Sequence, residues 1–197
     1  GNQNTNRAPN ENYARELMEL FTCGKGQLVG PGDYTTYTEK DIAAVAKVLT
    51  GWTIARDRNL GTYNVQFVAN LHDTSTKTLS NRFNNATISN KGNNEYKEII
   101  NLLFQKRETA TFICRKLYRY FVYYQVDLAI ENEIVNGLAD LLIADNFNIS
   151  TVVRKLLSSD HFYSSEALGA MIRPPYEFLF NTLKTMSFTP PTTLAEK

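Results

Sequence analysis

The ionisable side chains that could act together fall in two short stretches. In the first, Asn12, Glu16 and Glu19 recur at i, i+4 and i+7, with Arg15 beside them. On a helix these groups share one polar face. A carboxylate beside a guanidinium in a cleft would bind an anionic or sugar-like ligand. The plainer reading is a solvated face. There Glu11, Arg15 and Glu19 form i, i+4 pairs that stabilise a helix by roughly 0.2–0.5 kcal/mol each. In the second stretch His72 and Asp73 are followed by Lys77. A His-Asp dipeptide can exchange protons or hold a metal. It can equally form a turn in which Asp73 accepts from nearby backbone amides. The chain has 2 histidines, His72 and His161. A zinc site needs three or four ligands at defined spacing, so no metal is expected. His161 lies at a helix end, where it would meet the last carbonyls.

A third group is basic and aromatic. Arg115, Lys116 and Arg119 interleave with Phe112, Tyr118 and Tyr120. Such a stripe can bind single-stranded nucleic acid, or its arginines can pair with acidic neighbours. With 21 basic against 20 acidic side chains, the formal charge is only +1. The absence of a basic excess favours pairing, and no nucleic-acid partner is expected. There is no Gly-rich phosphate loop after a strand and no Gly-x-Ser-x-Gly elbow. No cofactor is therefore expected. Cys23 and Cys114 are too few for a disulfide framework. Cys114, in an apolar helical run, reads as a buried thiol.

The elements that must position these groups are mostly helical. Asn10 is a good N-cap, and Tyr13, Ala14, Leu17, Met18, Leu20 and Phe21 follow at helical spacing, with Gly24 as C-cap. The Gly-rich segment 24–37 is a loop. Thr38 to Asp41 resembles a capping box, with Asp41 in place of the usual Glu, and opens a second helix ending near Gly51. Trp52 is a core anchor. Thr62 to Val68 alternates like a strand, and Thr76 to Leu79 is its expected partner across a turn near Asp73–Ser75. The Asn-rich stretch 81–94 is a loop. Helices then run from about Glu95 to Phe104, from Glu108 to Tyr124, after Asp127, after Ser150 as cap, and from Pro174-Pro175, where proline suits a first turn.

At 197 residues the chain can bury a core without metals or disulfides. No apolar run approaches the roughly 20 residues of a membrane span. The expected organisation is a flexible tail over 1–9, a single helical domain over 10–188 with a hairpin and loop insertion at about 53–92, and a tail over 189–197. The fold class is mainly α, an irregular multi-helix bundle. The chain opens on Gly1-Asn2-Gln3 without Met, which reads as an excised piece of a larger protein.

Five stretches carry a family resemblance: Asn10 to Thr22; Tyr37 to Ile42 with Leu49-Thr50-Gly51-Trp52; His72-Asp73 with Lys77; Thr109 to Leu117; and Ser159 to Tyr163. Together they resemble the bacterial domain-of-unknown-function family eighteen hundred over about residues 6 to 184. The resemblance implies a helical protein roughly twice this length, of which this is the central to C-terminal part. It also implies export, hence a periplasmic or extracellular setting, and a sulfatase-like companion protein. No activity comes with it. The chain departs from the pattern in its longer loop from Gly24 to Tyr37, and in Cys23, where an aliphatic residue is usual.

Two functions remain open at this point. One is an accessory module that binds a protein partner or a glycan. The other is a hydrolase-like enzyme with a site shared with a missing N-terminal half, built on Arg15, Glu16, His72 and Asp73. Convergence of those four side chains favours the enzyme, and dispersal favours the module.

Overall fold

The computed structural model describes residues 4–56, 61–172 and 174–188. The first helix, α1 (Glu11–Glu16), begins where the Asn10 side chain accepts from the Tyr13 amide, as its capping chemistry requires. It then widens into a π-helical turn, Leu17–Phe21. That turn closes with Gly24, whose amide reaches the Met18 carbonyl at 2.8 Å. Gly24 has φ +72°, and a Cβ there would stand 2.6 Å from the Phe112 ring. Backbone conformation and close packing thus both select glycine.

The segment expected to be loop from 24 to 37 contains a small antiparallel ribbon, β1 (Leu28–Gly30) with β2 (Asp33–Tyr34). Next comes α2 (Glu39–Val48), opened by the Thr38/Asp41 capping box. Asp41 is fully buried and also accepts from the Ser80 amide at 2.7 Å, so one carboxylate caps a helix and holds a distant loop.

The hairpin expectation needs correction. Strand β4 (Tyr63–Phe67) does form, but its partner is β3 (Trp52–Arg56), in register Trp52 to Phe67. Lys77–Thr78 is a separate strand, β5, and pairs with β6 (Thr87–Ile88) inside the Asn-rich loop. Alternation identifies a strand but carries no information about its partner, and in β4 the alternating Tyr63 and Val65 are exposed rather than buried. Trp52 is also not a buried anchor. It is half-buried and meets Phe67 and Tyr96 edge-on, at centroid distances of 5.4 and 5.6 Å.

Helices α3 (Glu95–Gln105) and α4 (Arg107–Phe121) are separated by an extended residue, Lys106. Beyond them come α5 (Leu128–Ile130) capped by Asp127, α6 (Asn136–Ala144), α7 (Ile149–Leu157) and α8 (Pro175–Thr185). The cap of α7 is Asn148, not Ser150: its side chain accepts from the Ser150 amide. Proline occupies the first turn of α8.

The break at Lys106 divides two apolar clusters. Met18, Ile42, Val45, Leu79, Ile99 and Leu103 are among the first. Cys114, Tyr118, Val135, Leu142, Val152 and Leu156 are among the second. Each large side chain fully buried contributes about 1.5–3 kcal/mol. Fold class is therefore mainly α with small hairpins.

Residues 4–9, tail-like in composition, are anchored at their start. Asn4 Nδ2 donates to the Leu49 carbonyl at 2.9 Å, and the Gly51 amide donates to the Asn4 carbonyl at 2.9 Å. The tail expected over 189–197 lies outside the described residues. Gly51 has φ +88°, and a Cβ there would lie 2.8 Å from Phe67 and 3.0 Å from His72. Gly51→Ala is expected to lower stability by roughly 2 kcal/mol or more, from left-handed strain plus overpacking. A denaturant midpoint unchanged from the parent refutes this.

Candidate functional site

The two polar stretches form two separate networks. In the first, the Arg15 guanidinium grips Glu39 through two bonds, Nη1 to Oε1 at 2.9 Å and Nη2 to Oε2 at 2.6 Å. Glu39 is the first residue of α2, so this fork ties the end of α1 to the start of α2. Arg15 also lies 3.7 Å from Glu19 Oε1. The Tyr37 hydroxyl donates to the same Glu19, and Lys25 approaches it to 3.9 Å. Burial and then the bond to Glu19 push the Tyr37 phenol well above its usual value. Asn12 and Glu16 stay outside this network: Asn12 Nδ2 donates to Glu16 Oε1 at 2.9 Å on the exposed surface.

The bond from Arg15 holds the Glu39 carboxyl below its ordinary value, outweighing its desolvation. A lowered folded pKa means stability that is present above the unfolded pKa and lost as pH falls through the folded one. The Glu39 side chain is 43% exposed, so screening limits the pair to about 0.5–1 kcal/mol.

The second network is buried. Glu95 opens α3, and its side chain is 0% exposed. Oε2 accepts from Lys77 Nζ at 2.7 Å; Lys77 is likewise 0% exposed. Oε1 lies 2.9 Å from His72 Nε2 and accepts from the Lys91 amide at 3.1 Å. On the other side of the ring, His72 Nδ1 lies 2.9 Å from the Thr50 carbonyl oxygen. A carbonyl only accepts, and so does an ionised carboxylate. The ring is thereby held between two oxygen partners, the Glu95 carboxyl and the Thr50 carbonyl, which fix its orientation. Lys77 Nζ also donates to the Asp73 carbonyl, and the Thr50 hydroxyl accepts from the Asp73 amide at 2.8 Å. Among the described residues, no buried side-chain nitrogen or oxygen lacks a partner.

Asp73 itself behaves as the turn reading expects: its Oδ1 accepts from the Ser75 amide at 2.8 Å. Burial alone would raise its carboxyl. The Ser75 bonds and the charges of Lys77 and Lys47 outweigh burial and hold it below the usual range.

Arg15, Glu16, His72 and Asp73 thus do not meet. Among the described residues no hydrogen bond or ion pair joins the two networks. Glu39, Tyr37, Thr50 and Glu95 complete them and were invisible as partners in the sequence. The one local signal was Glu95 itself, a carboxylate at a helix start after an Asn-rich loop.

His161 does not cap a helix by its carbonyls. Its Nε2 lies 2.9 Å from the Tyr118 hydroxyl, with the rings stacked at 5.7 Å. In the basic stripe, Arg115 Nε donates to Glu131 at 2.9 Å, and Lys116 donates to the Leu20 carbonyl at 2.7 Å. Pairing with neighbours accounts for these two, but not for Arg119. Burial pushes the thiols up, Cys23 to about 11 and Cys114 to about 12. Neither is a thiolate near neutral pH.

Among the described residues, two openings away from the buried network are lined in part by the segment 13–27. One is an apolar groove of about 330 Å³, lined by Tyr13, Leu17, Trp52, Val65, Tyr96 and Ile100 among others. The other is a polar cleft between the segment after Cys23 and α4. Among the described residues no group of three or more His, Cys, Asp or Glu could hold a metal ion. No helix among them is long and apolar enough to cross a membrane.

This is a mainly helical chain in which a buried His-Glu-Lys network ties the α2–α3 region together. The family model described as "Protein of unknown function (DUF1800)" matches residues 1–196, and the chain belongs to that family. No curated protein and no solved structure matches it.

Two outcomes follow from the networks. Lys77→Met leaves Glu95 buried without its main counter-charge, and is expected to cost about 3–5 kcal/mol in chemical unfolding. A loss below 1 kcal/mol contradicts the role given to this pair. Glu39→Gln is expected to cost about 0.5–1 kcal/mol at pH 7, with the gap closing as pH is lowered to about 3. Parallel stability curves across that window contradict the linkage.

Proposed function

We propose that this chain is a non-catalytic binding module, with an accessory role, that takes a protein partner at the groove between α1 and the β3–β4 ribbon. The observation that carries the reading is the fate of the ionisable groups. Arg15 is occupied by Glu39 at the partly exposed surface, and His72 and Lys77 by Glu95 inside the fold. What faces outward at the groove is aromatic and aliphatic. Tyr13 is 52% exposed and Val65 70%.

An apolar groove of this kind gains its binding energy by excluding water, and large aromatic side chains dominate such contacts. The groove wall offers few polar partners for the hydroxyls of a sugar. That favours a protein segment presenting large apolar side chains over a glycan. On α8, Tyr176, Phe178, Leu179 and Phe180 are also exposed, more apolar surface than a chain with no partner commonly carries. The exported bacterial setting and the sulfatase-like companion belong to the same proposal and rest on the family resemblance. The hydrolase alternative needs Arg15, Glu16, His72 and Asp73 in one place, and no observation favours it.

The test is calorimetric titration of the full-length protein with the sulfatase-like companion, in parent and Tyr13→Ala/Tyr96→Ala forms. Saturable binding, weakened at least tenfold in the double variant, is the expected result. Binding to arrayed glycans that disappears in the same variant, with none to the companion, overturns the protein partner. Turnover of ester or glycoside substrates that is lost in Glu16→Gln overturns the non-catalytic reading.

A further inference from the structure

The polar cleft has a chemistry of its own. It measures about 650 Å³ and lies between the segment Cys23–Gln27, Thr35–Thr36 and one side of α4. That volume is ordinary for a small-molecule site, roughly 300–1,000 Å³. Four cations line it: Lys25 from the segment, and Arg107, Arg115 and Arg119 from α4. With Thr111, the three arginines stand four residues apart in sequence, so they form one row along the helix. One acidic side chain, Glu108, shares the lining.

Three of the cations have partners that stand outside the lining. Arg107 pairs with Asp140, Arg115 with Glu131, and Lys25 lies 3.9 Å from Glu19. Arg119 is different. Among the described residues its guanidinium has no hydrogen bond, ion pair or ring contact, although it is exposed on the last turn of α4 and lines the cleft. Across the cleft, the Thr35 hydroxyl accepts from the Gln27 amide at 3.0 Å, and among the described residues it donates to nothing. The cleft therefore offers unspent donors and one unpaired cation, Arg119, while each of its other three cations already faces a carboxylate just outside the lining. A guanidinium's planar fork matches the oxygens of a carboxylate or sulfate.

We propose that this cleft is a binding site for a small oxyanion-bearing ligand, a carboxylate or a sulfate ester, anchored on the unpaired Arg119 with the Thr35 hydroxyl as a second donor. It is separate from the apolar groove, so either reading can fail alone. The cleft binds without covalent chemistry, because Cys23 is buried and bonded to the Met18 carbonyl.

The test is a titration of the full-length protein with inorganic sulfate, glucuronate and neutral glucose, read by backbone amide shifts. Saturable shifts at Lys25, Thr35 and Arg119 are expected with either oxyanion, and none with glucose. Arg119→Ala should weaken that binding at least tenfold at an unchanged melting temperature, since the side chain supports nothing in the fold. Arg119→Lys should weaken it less, keeping the charge and losing the fork. Equal shifts with glucose, shifts scattered over all basic surface, or unchanged affinity in Arg119→Ala would each overturn the proposal.

Discussion

Burying the Glu95 carboxylate is the constraint on which the first half of the molecule turns. Removing an ion from water costs several kcal/mol even after relaxation, and a counter-charge repays this only with good geometry and every remaining lone pair used. Here the repayment comes from three separate segments. Lys77 arrives on β5, His72 from the turn after Ala69–Leu71, and the Lys91 amide from the loop before α3. The Thr50 carbonyl, just past the end of α2, sets the ring of His72. None of these groups satisfies Glu95 alone, so the end of α2, the His72 turn, β5 and the start of α3 must close together. Gly51 belongs to the same constraint, because a side chain there would strike His72 and Phe67.

Closing that network places α3, and α3 hands its orientation to the second cluster. The Thr109 hydroxyl donates back to the Leu103 carbonyl at 2.6 Å, which caps the end of α3 with the first turn of α4. From there α4 carries two rows, each with a four-residue repeat, one buried and one facing the cleft. Ala110, Cys114 and Tyr118 are buried in the second cluster. Thr111, Arg115 and Arg119, one position on, line the cleft. The apolar row fixes the rotation of the helix, and the basic row follows from it. A helix whose burial is decided on one face has no freedom left in where its neighbouring row points.

The legible part of this architecture is the part that local physics decides. Asn10, Thr38 and Asp127 each cap a helix as their side-chain oxygens allow, and apolar spacing of three or four marks the helices they open. The pairing of the six strands was not legible in the same way. Tyr63–Phe67 shows its period of two, but β5 and β6 have only 2 residues each, and which strand accepts which is settled by tertiary contacts. Of the candidate polar residues, Asp73 was readable as a turn former because its partner, Ser75, is two residues away. Arg15 was not assignable, because its partner Glu39 is 24 positions along the chain. Glu95 was missed for the same reason: a carboxylate at a helix start normally faces solvent and the helix dipole, and only the arrival of Lys77 and His72 makes burial tolerable.

The same accounting separates groups that hold the fold from groups left over for recognition. A polar or ionisable side chain with an internal partner has already spent its strongest interaction, and a ligand must first break that bond to use it. Arg15, His72 and Lys77 are in that position, so any ligand competing for them would also have to offset the loss of folding contacts. Arg119 and the groove aromatic Tyr13 face no such competition. Arg119 sits where the apolar row of α4 has turned it, and Tyr13 where Ala14 and Met18, buried on the inner face of the same helical segment, have left it facing out. The two proposed recognition surfaces are therefore by-products of how the buried rows are satisfied. A change to a buried row, even one that spares every exposed residue, re-aims the surface row beside it.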